Sequence, residues 1–222
     1  MNILAVYCHP EPQSFTHAML DVAQRTAAQS GHTMDVIDLY ARPPAPPAGR
    51  GDFSALSDPA LFHYQTEQRI ACEQGTFSAD IAQDQALVAK ADLLLLLFPL
   101  WWGGPPALLK SWFEKVMAYG FAYVDGARFE TALFAGKLAL CAITTGGTAA
   151  RFSEDGTYGS IEKVLWPLHH CQLRYLGYAV EAPFVAYAAP RVTPEDRAAM
   201  LRELESRLNE VCGSDAVKGL QG

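Results

Sequence analysis

Polar and apolar residues alternate along this chain with two different periods. Short apolar runs predict β-strands, and longer segments with apolar positions three or four residues apart predict helices. The predicted strands are residues 2–8, 34–39, 92–98, 137–143 and 179–187. The predicted helices begin near Phe15 and cover 81–91, 107–117 and 161–173, with a last helix after the N-cap Thr193. This alternation predicts an α/β fold: a doubly wound, five-stranded parallel sheet in the order 2-1-3-4-5 with helices on both faces.

Two segments lack a clear period. Residues 41–76 begin with RPPAPPAGRG, and we expect a long loop there, either functional or disordered. The chain after Val211 resembles a frayed terminus. Since 222 residues can bury one sizeable core, we expect a single domain over residues 1–212 and a flexible tail over residues 213–222.

Composition argues against several classes of function. Asp and Glu outnumber Lys and Arg by 24 to 17 without any basic block, which argues against a nucleic-acid partner. The amino terminus has no basic segment before its apolar stretch, and the longest apolar run, residues 93–98, is too short to cross a bilayer. We expect a cytoplasmic protein without membrane insertion. The five cysteines are scattered and never spaced as CxxC, so we expect reduced thiols.

Ligands of an open parallel sheet bind beyond the carboxyl ends of its strands. The loop after the first strand, HPEPQSFTH, lacks the GxGxxG signature but places His9, Ser14 and Thr16 at the start of a helix. Backbone N–H groups and the helix dipole favour a phosphate at such a place. The loop therefore predicts a phosphate or pyrophosphate site; the alternative is that Ser14 only caps the helix.

The loops after the third and fourth strands suit a flat ligand. Residues 98–106, FPLWWGGPP, join two tryptophans to glycines that permit a tight turn and prolines that stiffen the next helix entry. Residues 144–148, TTGGT, offer approachable backbone N–H groups and threonine hydroxyls. Together they predict a site for an apolar ring system with polar edges, and the tryptophans need not be core.

Four segments of the chain resemble a known family in order and spacing. They are HPEPQSFTHAM, FPLWWGGPPALLKSWFEKV with GFAY after it, TTGG and LWPL. They resemble the NAD(P)H:quinone oxidoreductase (DT-diaphorase) family of flavodoxin-like flavoenzymes. The resemblance implies a homodimer with flavin sites at the interface, FAD in the first place and FMN as the alternative. It also implies ping-pong, two-electron reduction of small-molecule quinones by NADH or NADPH.

The resemblance assigns residues to the cofactor. His9, Ser14, Phe15 and Thr16 would hold the flavin phosphates and ribityl chain, and Arg197 would lie near the adenosine end, which favours FAD. The other implied cofactor residues lie along the ring, at its polar edge and in the long loop: Pro99, Leu100, Trp101, Trp102, Gly103, Thr144, Thr145, Gly146, Gly147, Phe152 and His63.

The implied substrate pocket contains Trp102, Tyr123, Tyr158 and Tyr175, with Tyr123 reaching it from the partner subunit. Where the family keeps a tyrosine and a histidine that stabilise charge on the reduced flavin, this chain has Phe152 and Tyr158. Gly103 replaces a pocket aromatic and should leave open space above the ring.

The expected catalytic donors are the backbone N–H groups of Gly146 and Gly147 together with the Tyr158 hydroxyl. The alternative is that the backbone acts alone and Tyr158 only packs. The run His169-His170-Cys171 has metal-ligand residue types, but adjacent helix positions point in different directions, so we expect no metal.

Two other functions stay open. A flavodoxin-like electron carrier would share the fold, but it uses one-electron chemistry and needs no tryptophan-rich pocket. Some relatives of the family act as ancillary regulatory subunits of potassium-efflux systems and keep quinone reductase activity. One sequence does not reveal such a partner surface.

Overall fold

The computed structural model describes residues 1–43 and 46–213. Its strands are β1 (Asn2–Tyr7), β2 (Thr33–Asp38), β3 (Leu93–Pro99), β4 (Leu138–Thr144), β5 (Ala179–Val180) and β6 (Phe184–Ala186). Its helices are α1 (Phe15–Gln29), α2 (Tyr64–Gln74), α3 (Ala79–Lys90), α4 (Ala107–Val116), α5 (Ile161–Leu168) and α6 (Pro194–Gly213). The expected flexible tail, residues 213–222, lies outside the described residues except for Gly213, which ends α6.

The strands form one parallel sheet in the order β2-β1-β3-β4-β5, with β6 also paired to β4, so the predicted order is confirmed. The predicted fifth strand, residues 179–187, is wrong as one continuous strand. β5 pairs with the beginning of β4 and β6 pairs with its end. Pro183 lies between the two pieces, and a proline has no N–H to donate to a neighbouring strand.

The core lies on both faces of the sheet. Every residue of β3 is buried. Its even-numbered leucines join a cluster with α3, α4 and α5, whereas its odd-numbered leucines join a cluster with α1 and α6. A central parallel strand covered by helices on both faces is expected to be continuously apolar, and this explains the leucine run.

The expectation of a long loop over residues 41–76 is wrong in its second half, which contains α2. His63 caps the helix at its start, and Gly75 ends it in the left-handed conformation with a φ angle of 69°. The buried residues of α2 are Glu67, Gln68 and Ala71, so the buried face has no apolar period. Glu67 accepts hydrogen bonds from Ser57 instead of facing water, which sequence periodicity cannot reveal.

The predicted helix over residues 161–173 is only partly correct. α5 ends at Leu168, and a wider π-helical turn, His169–Arg174, continues it. Pro167 lies in the last turn of α5, where it cannot donate the usual backbone hydrogen bond. The predicted start of the last helix is confirmed: the Thr193 hydroxyl accepts from the Asp196 N–H, and the Asp196 carboxylate accepts from the Thr193 N–H.

Candidate functional site

The three loops singled out from the sequence meet at one edge of the sheet. β1, β3 and β4 are neighbours, so their carboxyl ends lie side by side. A cavity of about 1010 Å³ opens there. Its lining takes residues from all three loops and from the start of α6: His9, Glu11, Gln13, Ser14, Phe15, Thr16, Ala18, Pro99, Leu100, Trp101, Thr144, Thr145, Gly146, Ala189, Pro190, Pro194, Arg197, Ala198 and Leu201.

The loop after β1 ends in a capped helix with two free donors. The Ser14 hydroxyl accepts a hydrogen bond from the His17 N–H at 3.1 Å, so Ser14 does cap α1. The N–H groups of Phe15 and Thr16 have no partner among the described residues. Since Phe15 and Thr16 line the cavity at the positive end of the helix dipole, these N–H groups can bind an anion. The phosphate role and the capping role are therefore compatible.

Two further contacts position this loop. The buried Thr16 hydroxyl lies 3.3 Å from the Thr144 hydroxyl at the end of β4, which joins two loops far apart in sequence. His9 Nδ1 accepts from the Glu11 N–H at 3.0 Å. Burial lowers the pKa of His9, so the ring is neutral near pH 7. His9 can offer its other nitrogen to a ligand without carrying a charge.

The tryptophan loop is a tight turn that exposes an indole. Trp101 and Gly104 exchange two backbone hydrogen bonds of 2.9 and 3.0 Å. Trp102 and Gly103 between them have φ angles of 51° and 74°. Gly103 therefore permits the turn as predicted, whereas Gly104 has no positive φ and Trp102 itself adopts the strained conformation. Trp102 is fully exposed at the edge of a second cavity although its backbone conformation is strained for a bulky residue.

The glycine loop after β4 has its carbonyl groups occupied and its N–H groups free. The Gly147 carbonyl accepts from the Ala188 N–H at 2.8 Å, and the Gly146 carbonyl accepts from the Arg191 guanidinium. The N–H groups of both glycines have no partner among the described residues. The loop is thus fixed from one side and can donate to a ligand from the other.

A second cavity of about 520 Å³ adjoins the first and shares Leu100 and Gly146 with it. Its other lining residues are Trp102, Gly103, Gly147, Arg151, Phe152, Tyr158, Val164 and Arg191. The rings of Phe152 and Tyr158 pack with their centroids 5.0 Å apart. Half of the Tyr158 side chain is exposed, and its hydroxyl has no hydrogen-bond partner among the described residues. This oxygen can donate to a bound molecule.

Three predicted site residues do not line either cavity in this chain. Tyr123 and Tyr175 pack against each other, with ring centroids 6.3 Å apart, in a separate aromatic cluster. His63 is exposed at the start of α2, where its Nδ1 accepts from the Thr66 N–H at 3.3 Å. Arg197 does line the first cavity, and its guanidinium donates to the Val192 carbonyl at 2.9 Å.

Sequence reasoning missed Arg151 and Arg191 in the second cavity. Neither belongs to a recognisable motif, and Arg191 reaches Gly146 only because the chain turns at Ala188, where φ is 51°. A further cavity of about 610 Å³ is lined in part by Arg42 and the buried Asp84, which form an ion pair. We assign it no role.

The described part of the chain contains neither a membrane-spanning helix nor a cluster of metal-ligating side chains. Over residues 1–43 and 46–213, no helix is long and apolar enough to span a membrane. Within the same ranges, no group of three or more His, Cys, Asp or Glu side chains could hold a metal ion.

Comparisons with known proteins agree with this geometry. The model of a family described as having a flavodoxin-like fold matches residues 1–208. The ribosyldihydronicotinamide dehydrogenase [quinone] of Pongo abelii is 38% identical over 95% of this chain and 91% of its own length. The NAD(P)H dehydrogenase [quinone] 1 of Cavia porcellus is 36% identical over 94% of this chain and 76% of its own length.

A solved structure is similar as well. A Klebsiella pneumoniae protein described as a candidate quinone reductase superposes with a TM-score of 0.89 at 34% identity, over 96% of this chain and 86% of its own. The resemblance noted in the sequence is therefore confirmed. The chain belongs to the flavodoxin-like family of NAD(P)H:quinone oxidoreductases.

Proposed function

We propose that this protein is a flavin-dependent NAD(P)H:quinone oxidoreductase that reduces quinones or related electrophiles by two electrons in a ping-pong cycle. One observation carries the proposal: the two adjoining cavities have free backbone N–H pairs at two separate places. Phe15 and Thr16 offer one pair in the large cavity. Gly146, which lines both cavities, and Gly147, which lines the second, offer the other. Between them lie apolar and aromatic residues of the loop after β3. This arrangement fits a molecule with phosphates at one end and a flat ring with polar edges at the other.

The residues present fit a flavin. Phe15 and Thr16 would donate to its phosphates, Leu100 and Trp102 would lie along its ring, and Gly146 and Gly147 would donate to its polar edge. A bound flavin supplies the redox chemistry, because no amino-acid side chain accepts a hydride. The protein supplies position, water exclusion and preorganised donors. Each such donor contributes roughly 3 kcal/mol where negative charge develops in a site closed to water.

Of the neighbouring residues Tyr158 and Phe152, only Tyr158 has a hydrogen-bond donor in its side chain. The Tyr158 hydroxyl has no partner among the described residues and borders the second cavity, so it can donate to a bound ring. Phe152 has no donor and holds Tyr158 by packing against it. Gly146 and Gly147 line the same cavity, so their N–H groups and the Tyr158 phenol can all donate to a ring bound there.

We further propose FAD over FMN. Arg197 lies in the lining of the large cavity at the start of α6, on the side where an adenosine end would extend from the phosphates. Its guanidinium donates to the Val192 carbonyl and so is held in place. Arg197→Gln should weaken FAD binding about tenfold or more and leave FMN binding within about twofold. Arg202→Gln, on an exposed position of the same helix, is the control.

A homodimer would complete the pocket. Tyr123, Tyr175 and His63 line neither cavity of their own chain. We propose that a partner subunit's copy of this region covers the fully exposed Trp102 and brings an aromatic wall to the second cavity. Light scattering should give a dimer. A monomer that reduces quinone at the full rate would contradict the shared pocket.

We propose one flavin-binding domain over residues 1–212 and a cytoplasmic location, supported by five free cysteines. The donor is NADH or NADPH, and the acceptor is a small quinone. The relatives named above are quinone dehydrogenases, so we favour neither an electron carrier nor a regulatory subunit.

The decisive experiment is simple. Protein purified from flavin-replete cells should be yellow, and acid should release about one FAD per chain, as chromatography against FAD and FMN standards will establish. Recovery of FMN alone would overturn the FAD proposal. A colourless protein that binds neither flavin would overturn the proposed function as a whole.

A further inference from the structure

Two arginines border the second cavity without a carboxylate partner. Arg151 and Arg191 lie in its lining beside Trp102, Phe152 and Tyr158. That lining contains no Asp or Glu, and neither arginine forms an ion pair with any other described residue. The chain as a whole has a net charge of −7. The cavity therefore has two unpaired positive charges in its lining, although the chain as a whole is negatively charged.

Both arginines sit on fixed backbone. The Arg191 N–H donates to the Ala188 carbonyl at 2.7 Å, and the Arg191 guanidinium donates to the Gly146 carbonyl. The Arg151 N–H donates to the Thr148 carbonyl at 3.0 Å, and the Arg151 carbonyl accepts from the Tyr158 N–H at 2.9 Å. A guanidinium has five N–H donors, so most donors of both side chains stay available to a ligand.

The cavity thus combines aromatic faces with cationic groups. A neutral quinone needs the aromatic faces alone, and two like charges repel each other unless an anion lies nearby. Guanidinium groups bind phosphates through paired, charge-assisted hydrogen bonds. A dihydronicotinamide nucleotide has both required parts, a flat ring and a phosphate a few bonds away.

We propose that Arg151 and Arg191 bind the phosphate of a dihydronicotinamide nucleotide and so select phosphorylated donors over the phosphate-free riboside. This inference rests on the proposed function, since it assigns a donor to the same site. It concerns specificity: the arginines orient the donor and touch its phosphate, while the rings of Trp102 and Tyr158 contact the nicotinamide.

Equilibrium binding tests the inference without turnover. The probes are oxidised nicotinamide mononucleotide and nicotinamide riboside, titrated into the flavin-loaded protein by calorimetry. The native protein should bind the mononucleotide at least about tenfold more tightly, the effect of one or two charge-assisted hydrogen bonds. The double variant Arg151→Ala/Arg191→Ala should lose most of this difference. The double variant Arg151→Lys/Arg191→Lys should keep part of it, because lysine keeps the charge without the paired donors.

Kinetics supply a second readout. For NADH, kcat/KM should fall about 10- to 100-fold in the double alanine variant, mainly through KM, and the native value should fall with rising salt. Lys163→Ala is the matched control: it removes an exposed cation that pairs with Glu154 and is not in the cavity lining. It should change kcat/KM less than about twofold.

The outcomes separate the two proposals. A protein that binds no flavin and oxidises no dihydronicotinamide with any quinone refutes the proposed function. A flavin-loaded, quinone-reducing protein whose ratio of mononucleotide to riboside affinity is unchanged in the double alanine variant refutes this inference alone. If the variant instead loses only the reduction of a sulfonated naphthoquinone, the arginines bind the acceptor, and the assignment to the donor is wrong.

Discussion

The Phe152 ring lies against Gly147 so closely that a Cβ on this glycine would stand 2.9 Å from Phe152 Cε2. It would also stand 3.4 Å from Tyr158 Cε2. At the neighbouring Gly146, a Cβ would meet only the Arg191 side chain, at 3.5 Å, an ordinary contact. Gly147 is therefore required by its neighbours, whereas Gly146 has room.

This contrast gives a matched pair of variants. Gly147→Ala must displace the Phe152 ring, which packs against Tyr158, and we expect kcat/KM for quinone reduction to fall about 10- to 100-fold, as for a misplaced contact in an active site. Gly146→Ala keeps its backbone N–H and should stay within about threefold of the native value. Steady-state kinetics with both variants provide the measurement. Equal losses would mean that the packing against Phe152 does not matter.

The Tyr158 hydroxyl is expected to assist the reduction of the bound flavin. Tyr158→Phe should slow reduction of the bound flavin by NADPH about 10- to 100-fold, the effect of one hydrogen bond of roughly 1.5–3 kcal/mol to a charged acceptor. Donor affinity should change much less. Phe152→Tyr restores a donor and should be tolerated or mildly activating. Stopped-flow absorbance decides: a rate within about twofold of native for Tyr158→Phe would mean that the Tyr158 hydroxyl has no role in the reaction.

A substitution of Trp102 is expected to affect activity and stability differently. Its φ angle of 51° is strained for a bulky residue, and its side chain is fully exposed. Asparagine tolerates this conformation better, so Trp102→Asn should leave the free energy of unfolding unchanged or raise it by up to about 1 kcal/mol. Activity should fall about tenfold, because the aromatic cover of the ring site is lost. Urea unfolding and quinone kinetics on the same sample test this. A large loss of stability would give Trp102 a structural role instead.

An element of this fold could be predicted from the sequence where a local pattern of apolar residues marks it, and not where it depends on contacts with distant residues. The sheet was predictable because the leucines of β3 are buried on both faces, and apolar side chains need no hydrogen-bond partners to be buried. α2 was not, because its buried Glu67 is satisfied by Ser57, which lies ten residues earlier in a loop. The single fifth strand failed at Pro183, a residue whose effect on the ladder could have been anticipated.

The residues of the candidate site also fall into those that the sequence predicts and those that it does not. Ser14, Trp102 and Gly146 were identified from sequence because they follow parallel strands whose carboxyl ends meet at one edge. Arg191 was not, since its position depends on a turn at Ala188 and on a hydrogen bond to Gly146. Tyr123 and Tyr175 were assigned by resemblance, and a single chain does not bring them to either cavity.

Two ion pairs of different burial predict different costs. Asp84 is buried, accepts two hydrogen bonds from Arg42 at 2.6 and 2.7 Å, and also accepts from Trp112 Nε1. Asp84→Ala should lower the free energy of unfolding by about 2–4 kcal/mol, because it leaves buried donors unpaired. Asp35→Ala removes the exposed pair with Lys90 and should cost less than about 1 kcal/mol. Urea denaturation of both variants tests this, and similar losses would contradict it.

His169 gives the fold a dependence on pH. Burial, followed by the nearby Arg174, lowers the pKa of His169 to about 4, and its Nε2 has no hydrogen-bond partner in the described chain. Glu162 acts in the opposite direction but does not offset burial. In the unfolded chain the ring has an ordinary pKa of about 6.5. Between these values, the unfolded state binds a proton that the folded state excludes.

The direction of the pH dependence follows from this difference between the pKa values of the folded and unfolded states. The free energy of unfolding should be unaffected by His169 above about pH 6.5 and should fall as the pH drops from about 6.5 towards 4. The ring is partly exposed, so we expect a loss of about 1–2 kcal/mol rather than the roughly 3 kcal/mol that the pKa difference alone implies. His9 and His32 also have lowered pKa values and add to the same slope. Urea unfolding of the native protein and of His169→Gln across this range isolates the contribution, because glutamine does not titrate. The variant should lose less stability than the native protein between pH 6.5 and 4, and identical slopes would mean that His169 is protonated as readily in the folded state as in the unfolded one.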